Sequence, residues 1–354
     1  MDNRKVVLGI TQGDPSGVGM ELVLRVFSDP NIYKYCTPVL YGNPKTFVAW
    51  KKHLGLQEPM YQMINSAADA KPGKLNLVVS SDDAVEFTIG TASAESGKEA
   101  LLAIDKALSD AQFLEALVTA PIDKSTVAPH SNNFTGHTGY LAEALGAKSH
   151  AMILACEDLR VALVTEHVPI TQLEKYLTQE KIEQKIEVVY NALRNDFNVL
   201  KPRIAVLGLN PHAGDQGLLG DEEVKIIQPA IAKHFKQGKL VYGPYSADAF
   251  FGSGNFKNFD AVIAMYHDQG LIPFKTMAFM DGVNVTAGLS IVRTSPDHGT
   301  AYDIAGKNTA DPSSMRAAVY EAIHLVRNRK QFAADFENPL EYSEMRRERF
   351  RIDF

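Results

Sequence analysis

At 354 residues, 45% of them hydrophobic and 22% charged, the chain is long enough for two domains and has the composition of an ordinary soluble globular protein. Its net charge of −6 argues against nucleic-acid binding, which needs a basic face to release counterions. Two distant cysteines, Cys36 and Cys156, make neither a disulfide framework nor a thiolate cluster. No run approaches the ~20 apolar residues of a membrane span, and the opening MDNRKVVLGITQGD has too short an apolar run for a signal peptide, so a cytoplasmic protein without membrane partners is expected.

Lys5–Ile10 is rich in β-branched residues and reads as a buried strand. It leads into Gly13-Asp14-Pro15-Ser16-Gly17-Val18-Gly19 and a helical pattern over Glu21–Phe27. That turn lacks both the G-x-G-x-x-G of dinucleotide folds and the terminal G-K-[ST] of a P-loop, which favours a tight turn shaping a cleft over a phosphate cradle. Pro38–Gly42 and Leu75–Ser80 read as strands, and Pro44–Leu54 as a helix. Leu101, Ile104, Leu108 and Ala111 recur at helical spacing, predicting a helix over Ala94–Gln112. Ala116–Thr119 is a strand ending in Thr119-Ala120-Pro121-Ile122-Asp123-Lys124-Ser125. This alternation predicts an α/β architecture with a largely parallel sheet.

From there to about Tyr140 the chain reads as a polar loop containing Gly136-His137-Thr138-Gly139, a plausible crossing between domains. Strands follow at Ala151–Ala155 and Arg160–Thr165, the second ending in Glu166-His167. Ile182, Ile186, Val189 and Leu193 mark a helix, and Arg203–Leu207 a strand leading to Asn210-Pro211-His212-Ala213-Gly214. A helix over Asp221–Phe235 precedes the strand Ala261–Met265, which runs into His267. Met315, Val319, Ala322 and Val326 give one more amphipathic helix, and the Met345-Arg346-Arg347-Glu348-Arg349 run, flanked by acids, reads as a solvated helix face. There is no internal repeat.

Of the ten histidines, His167, His212 and His267 each follow an apolar strand-like run. Parallel strands gather such ends along one edge, and three neutral imidazoles suit a divalent metal that keeps open positions. Spacing alone does not prove such a site; the alternative is three unrelated loop histidines that cap helices or bond carbonyls. Asp248 and Asp268 are candidate partners for the outer N–H of such ligands. Lys275, Asn284 and Arg293 downstream, with His137 and Thr138 upstream, would suit an anionic phosphorylated ligand; taken singly, each reads as a surface contact.

GDPSGVG, FTGHTGYLAE, NPHAGDQG, YHDQGLIPFK, GVNVT and RTSPDHGTAYDIAG occur in one order over nearly the whole chain. In this the chain resembles the 4-hydroxythreonine-4-phosphate dehydrogenase family of pyridoxal phosphate synthesis. The resemblance implies two α/β/α domains with a cleft between them, similar to isocitrate and isopropylmalate dehydrogenases. The expected division is 1–130 with 300–354, against 131–299 carrying the metal ligands and the dimer interface. It implies His167, His212 and His267 as ligands of zinc, magnesium or cobalt, and His137, Thr138, Lys275, Asn284 and Arg293 as substrate contacts. Lys275 and Asp248 are the candidate catalytic groups. A homodimer with its site at the interface is also implied, with His267 able to serve the second subunit's metal.

The HGTAYDIAG segment followed by ADP looks like the HGSAPDIAG…ANP loop of isocitrate and isopropylmalate dehydrogenases. That similarity places His298, Gly299 and Thr300 near NAD, or NADP, without a dinucleotide fingerprint. Two positions depart from the family. Gly139 stands where its GHTE block has a carboxylate, and Asp123 where its TGPVHK block has histidine. The expected reaction is oxidation of 4-phosphohydroxy-L-threonine followed by decarboxylation, with threonate or erythronate 4-phosphate as the alternative substrates. A three-histidine site could instead activate water in a hydrolase. A non-catalytic phosphate binder would not need both the metal set and the cationic set.

Overall fold

The computed structural model describes residues 4–81, 86–131, 134, 136–278 and 281–338, so the basic run at 345–349 lies outside the described residues. In the first part β1 (Val6–Thr11) enters α1 (Gly19–Phe27) and β2 (Cys36–Gly42) enters α2 (Pro44–Leu54). β3 (Tyr61–Ile64) and β4 (Leu75–Val79) precede α3 (Ala94–Ser109), and β5 (Ala116–Thr119) precedes the short α4 (Lys124–Val127). Next come α5 (His137–Ala144), β6 (Ala151–Ala155), β7 (Arg160–Leu163), α6 (Leu173–Tyr176) and α7 (Gln179–Asn195). They are followed by β8 (Arg203–Leu207), α8 (Gln228–Lys236), β9 (Leu240–Tyr245), α9 (Ala247–Gly252), β10 (Ala261–Ala264) and α10 (His267–Met277). The hairpin of β11 (Val283–Ala287) and β12 (Val292–Pro296) leads to α11 (Ser313–Asp335).

The strands lie in the order β3-β4-β2-β1-β5-β12-β11-β6-β7-β10-β8-β9 in one twelve-stranded sheet. From β3 to β12 every pairing is parallel, and so is every pairing from β7 to β9. Antiparallel contacts of β11 with β12 and β6, and of β6 with β7, join the two blocks. Three antiparallel pairings reverse direction an odd number of times, so the two parallel blocks run in opposite senses.

The two sheet faces pack differently, and this difference makes the cleft. On one face a single core runs across both blocks: Ala116 and Val118 of β5, Val292 of β12, Val283 and Val285 of β11 and Ile153 of β6 meet α1, α7 and α11. On the other face the core is in two pieces. Leu117 packs with Leu101, Ile104 and Leu141 under α3 and α5. Met152 and Leu154 pack with Leu271, Phe274 and Phe250 under α10 and α9. Between these pieces the central hairpin presents Asn284, Thr286, Arg293 and Ser295, paired across the strands as Asn284–Ser295 and Thr286–Arg293. Polar side chains there break the apolar layer. The result is two α/β/α halves with a cleft between them.

Local chemistry sets the element ends. Ser93 and Ser96 form a reciprocal capping box on α3. Asn43 caps α2 with Pro44 in its first turn, and Gly55 ends it in the left-handed region. Two segments differ from the sequence reading. The polar stretch up to Tyr140 contains α4 and the start of α5, so His137 is a helical residue. His267 likewise opens a helix, whose pattern Gly270 and Pro273 obscure.

The GDPSGVG turn proves to be a close-approach joint. A β-carbon on Gly17 would stand 2.8 Å from the Thr300 carbonyl oxygen, and the Val18 N–H donates to that same oxygen at 2.9 Å. Gly17→Ala is therefore expected to push the 298–306 loop off α1 and cost about 1–3 kcal/mol. Denaturant unfolding checks this, and an unchanged midpoint would contradict it.

Candidate active site

A cavity of about 570 Å³ sits over the central hairpin. Its floor is Arg293, which is 2% exposed. The Arg293 Nη1 donates to Thr286 Oγ1 at 2.9 Å and Nη2 to Thr119 Oγ1 at 2.6 Å. Both partners are neutral hydroxyls. Nε has no partner among the described residues. Burial pushes the guanidinium down to about 9, against the opposing pull of Glu166, so it remains a cation at neutral pH.

Among the described residues two further buried atoms lack partners beside it, His137 Nε2 and the acceptor Asn284 Oδ1. His137 opens α5 and packs edge-on to Phe134. Burial, then the charges of Arg293 and Lys124, hold its imidazole well below the usual histidine range. Thr138 Oγ1 lies 3.5 Å from Thr286 Oγ1. A buried cation beside an orphaned imidazole nitrogen is the chemistry of an anion site, and the Asn284 oxygen next to them calls for a donor. The structure thus brings together His137, Thr138, Lys275, Asn284 and Arg293 around one cavity.

Lys275 stands at the junction with a second, more apolar cavity of about 360 Å³, lined by Val18, Leu22, Ala301, Ile304 and Ala310. Lys275, Asp297 and His298 line both. The Lys275 Nζ is 3.3 Å from Asp297 Oδ2. Burial raises the Asp297 carboxyl and Lys275 opposes that rise. His298 and Gly299 line the main cavity, whereas Thr300 is buried against α1 and acts through its carbonyl. The loop beyond it is fixed by buried acids: Tyr302 Oη donates to Asp14 Oδ2 at 2.8 Å, and the Gly306 N–H to Glu21 Oε2 at 3.0 Å. The apolar cavity and this pre-formed loop are where a cofactor could be held.

The three strand-end histidines come from neighbouring strands, in the spatial order β7-β10-β8. His167 and His267 line the cavity with ring centroids 5.9 Å apart. His267 Nδ1 pairs with Asp268 Oδ1 at 2.7 Å, as an outer partner would. His212 is exposed, on a loop whose residues His212–Gln216 all have positive φ. Asp248 lies with it outside the cavity, accepting from Ser246 Oγ at 2.6 Å and held below the usual carboxylate range by that bond. Among the described residues no three His, Cys, Asp or Glu side chains are grouped to hold a metal. One chain alone therefore does not fit a three-histidine metal.

Other residues complete the site without having been singled out in the sequence. Lys124 at the start of α4 places Nζ 3.5 Å from His167 Nε2. Glu166 lines the cavity beside His167. Gln269 accepts from the Met265 N–H at 2.7 Å and donates to the Gly208 carbonyl at 2.6 Å, tying the exits of β10 and β8 together. Buried Glu223 accepts from the Leu209 and Asn210 N–H groups at 2.7 and 2.8 Å, holding the start of the His212 loop.

Two outcomes follow from this electrostatics. Arg293→Met should leave the ligand-free protein equally or more stable, because an unpaired buried charge is lost, and should abolish thermal stabilisation by inorganic phosphate. Retained phosphate stabilisation would count against the anion site. His137 is neutral in the fold, whereas the unfolded chain binds its proton below the ordinary value of 6.5. Its contribution to stability is thus full above that pH and lost as pH falls below it. Melting curves between about pH 7.5 and 5 should show a shallower loss for His137→Gln than for the wild type; equal slopes would refute this.

A family model described as pyridoxal phosphate biosynthetic protein PdxA matches residues 34–322. A 4-hydroxythreonine-4-phosphate dehydrogenase from Bacteroides thetaiotaomicron is 47% identical over 343 residues, covering 96% of this chain and 94% of that one. The solved structure of a 4-hydroxythreonine-4-phosphate dehydrogenase from Klebsiella pneumoniae matches with a TM-score of 0.79 and 33% identity, covering 91% of this chain and 100% of that one. A terephthalate 1,2-cis-dihydrodiol dehydrogenase from Burkholderia xenovorans matches with a TM-score of 0.62 and 26% identity, over 91% and 98% of the two chains. Motif order, fold and full-length similarity agree: the chain belongs to the PdxA family of pyridoxal phosphate biosynthetic proteins.

Proposed function

We propose that this chain is an NAD-dependent, metal-requiring dehydrogenase that oxidises 4-phosphohydroxy-L-threonine to 2-amino-3-oxo-4-phosphooxybutanoate. Loss of CO₂ from that β-keto acid gives 3-amino-2-oxopropyl phosphate. The observation that carries the reading is the buried Arg293 cation, with the unpartnered atoms of His137 and Asn284 beside it. A phosphate or carboxylate in the cavity completes Arg293 Nε and His137 Nε2, and a hydroxyl or ammonium donor completes Asn284 Oδ1. The names of the relatives in Bacteroides thetaiotaomicron and Klebsiella pneumoniae support this reaction.

Arg293, Asn284, His137 and Thr138 would hold the substrate's anionic groups, and that hold on non-reacting atoms positions the carbinol carbon. When bound, NAD accepts the hydride from that carbon. Lys275, at the junction of the two cavities, is the group placed to move protons. Together with Asp297 it would take the hydroxyl proton while the hydride leaves, and the pair would return that proton to carbon after CO₂ departs, so the two steps balance. His298, Gly299 and Thr300 would bound the cofactor.

The reading keeps a divalent metal, zinc, magnesium or cobalt, on His167, His212 and His267. Because His212 and Asp248 stand apart in one chain, that set would close between two copies in a homodimer. The proposed division of the chain is 1–130 with 300–354, of which 339–354 lie outside the described residues, against 131–299, with α5 packed on the first part; the enzyme would be cytoplasmic. Gly139 lines the cavity without a side chain, which favours a second reading, oxidation of threonate or erythronate 4-phosphate.

Formation of NADH from 4-phosphohydroxy-L-threonine, lost on chelation and restored by added metal, tests the proposal. Turnover without NAD would overturn it. Arg293→Ala is expected to raise KM for the phosphorylated substrate by about 100-fold. An unchanged KM would remove Arg293 from the site.

A further inference from the structure

The ionisable side chains that line the cavity are basic, among them Lys124, Lys275, Arg293, His137 and His267, except for two carboxylates, Glu166 and Asp297. Asp297 is committed to Lys275 at 3.3 Å. Glu166 is committed on one side only. Its Oε1 meets Lys185 Nζ at 3.4 Å, and among the described residues no hydrogen-bond donor meets Oε2. Lys185 lies behind the cavity wall on α7, buried, and gives a shorter bond of 2.9 Å to the His150 carbonyl. It lines a separate hollow with Lys148 and Lys181 and does not reach the main cavity. Glu166 lines both. Its negative charge acts on Arg293, His150 and His167.

The cavity is therefore charged in two senses. Arg293 and His137 form an end that takes an anion, the orphaned Asn284 Oδ1 takes a donor, and Glu166 presents an end that takes a cation. A doubly charged small molecule satisfies both, whereas a phosphorylated hydroxy acid satisfies only the first. We infer that the Glu166 carboxylate, through Oε2, binds the ammonium group of the substrate and selects an amino acid phosphate over the hydroxy acid phosphate of equal length. This rests on the proposed dehydrogenase reading and decides between its two substrates. The alternative role for Glu166 is structural, a pair with Lys185 that braces α7 against the end of β7.

The experiment compares wild type, Glu166→Gln and Glu166→Asp with two pairs of ligands. The first pair is 4-phosphohydroxy-L-threonine and threonate 4-phosphate, read as kcat/KM by NADH absorbance. The second is O-phospho-L-homoserine and 4-phosphooxybutanoate, which lack the oxidisable hydroxyl and are read by calorimetry. Wild type is expected to favour the amino member of each pair by about 10- to 100-fold, the range of one charge-assisted hydrogen bond. Glu166→Gln should collapse that ratio through a higher KM or Kd for the amino ligand, and Glu166→Asp should retain part of it. An equal loss for both members of a pair assigns Glu166 to bracing alone and overturns the inference. So does a preference that survives in Glu166→Gln. If neither substrate is oxidised yet the binding preference is present and depends on Glu166, the selectivity stands and the dehydrogenase reading fails. If oxidation occurs without preference, the dehydrogenase reading stands and the inference fails.

Discussion

A positive charge sealed into the middle of a sheet is the constraint around which this molecule is arranged. Arg293 sits on β12, the strand where the first parallel block ends, with hydroxyls instead of carboxylates as partners. An isolated buried charge is costly, and neutral donors and acceptors offset that only in part. The fold bears the cost by packing the opposite face without interruption, so that Val292, beside Arg293 in sequence, belongs to the large shared core. Stability is concentrated on one side of the sheet and a ligand-dependent deficit on the other. Sites that give up stability in this way are a common result of selection for binding.

Around that deficit, the loops are fixed by carboxylates and amides buried among backbone groups. Asp14 gathers Ser16, Ser96, Thr126 and Tyr302, and Glu21 holds Gly306. Glu223 holds Leu209 and Asn210, and Gln269 bridges two strand exits. None of these four needs to touch a ligand. They supply the supporting layer that keeps a site from being loose by an ångström. The GDPSGVG turn belongs here: its glycines give room for backbone, and its acid ties down the loop that carries His298.

The sequence revealed the interior strands because residues buried on both faces leave long apolar runs, as in VVLGI and AMILA. It revealed less at the edges. β3 and β9 close the two ends of the sheet, and their half-exposed residues, with Gly243 and Pro244 in β9, carry no such run. The helices opened by His137 and His267 were hidden because their first turns are given over to chemistry, which displaces the apolar spacing. Residues that line the cavity were reached through motif order, while Arg293's burial was not: a strand pattern shows which face a residue takes, not whether the cover over it is oil or cleft. Glu166 was visible only as the end of a strand, since its meaning depends on Lys185 and Arg293, far away in sequence. For the histidines, strand ends placed all three along one edge. The left-handed backbone after Pro211 is what carries His212 away from the other two, and no spacing rule encodes that.

The unequal packing of the two faces also has a mechanical side. A layer that is continuous beneath and divided above behaves as the spine of a book. Any change in the width of the cleft must pivot about the β11–β12 hairpin, while α7 and α11 stay seated behind it. The covers are α3 with α5 and α10 with α9. A motion of that kind would alter the distance between the His137 and Glu166 walls while Arg293, on the hinge line itself, hardly moves.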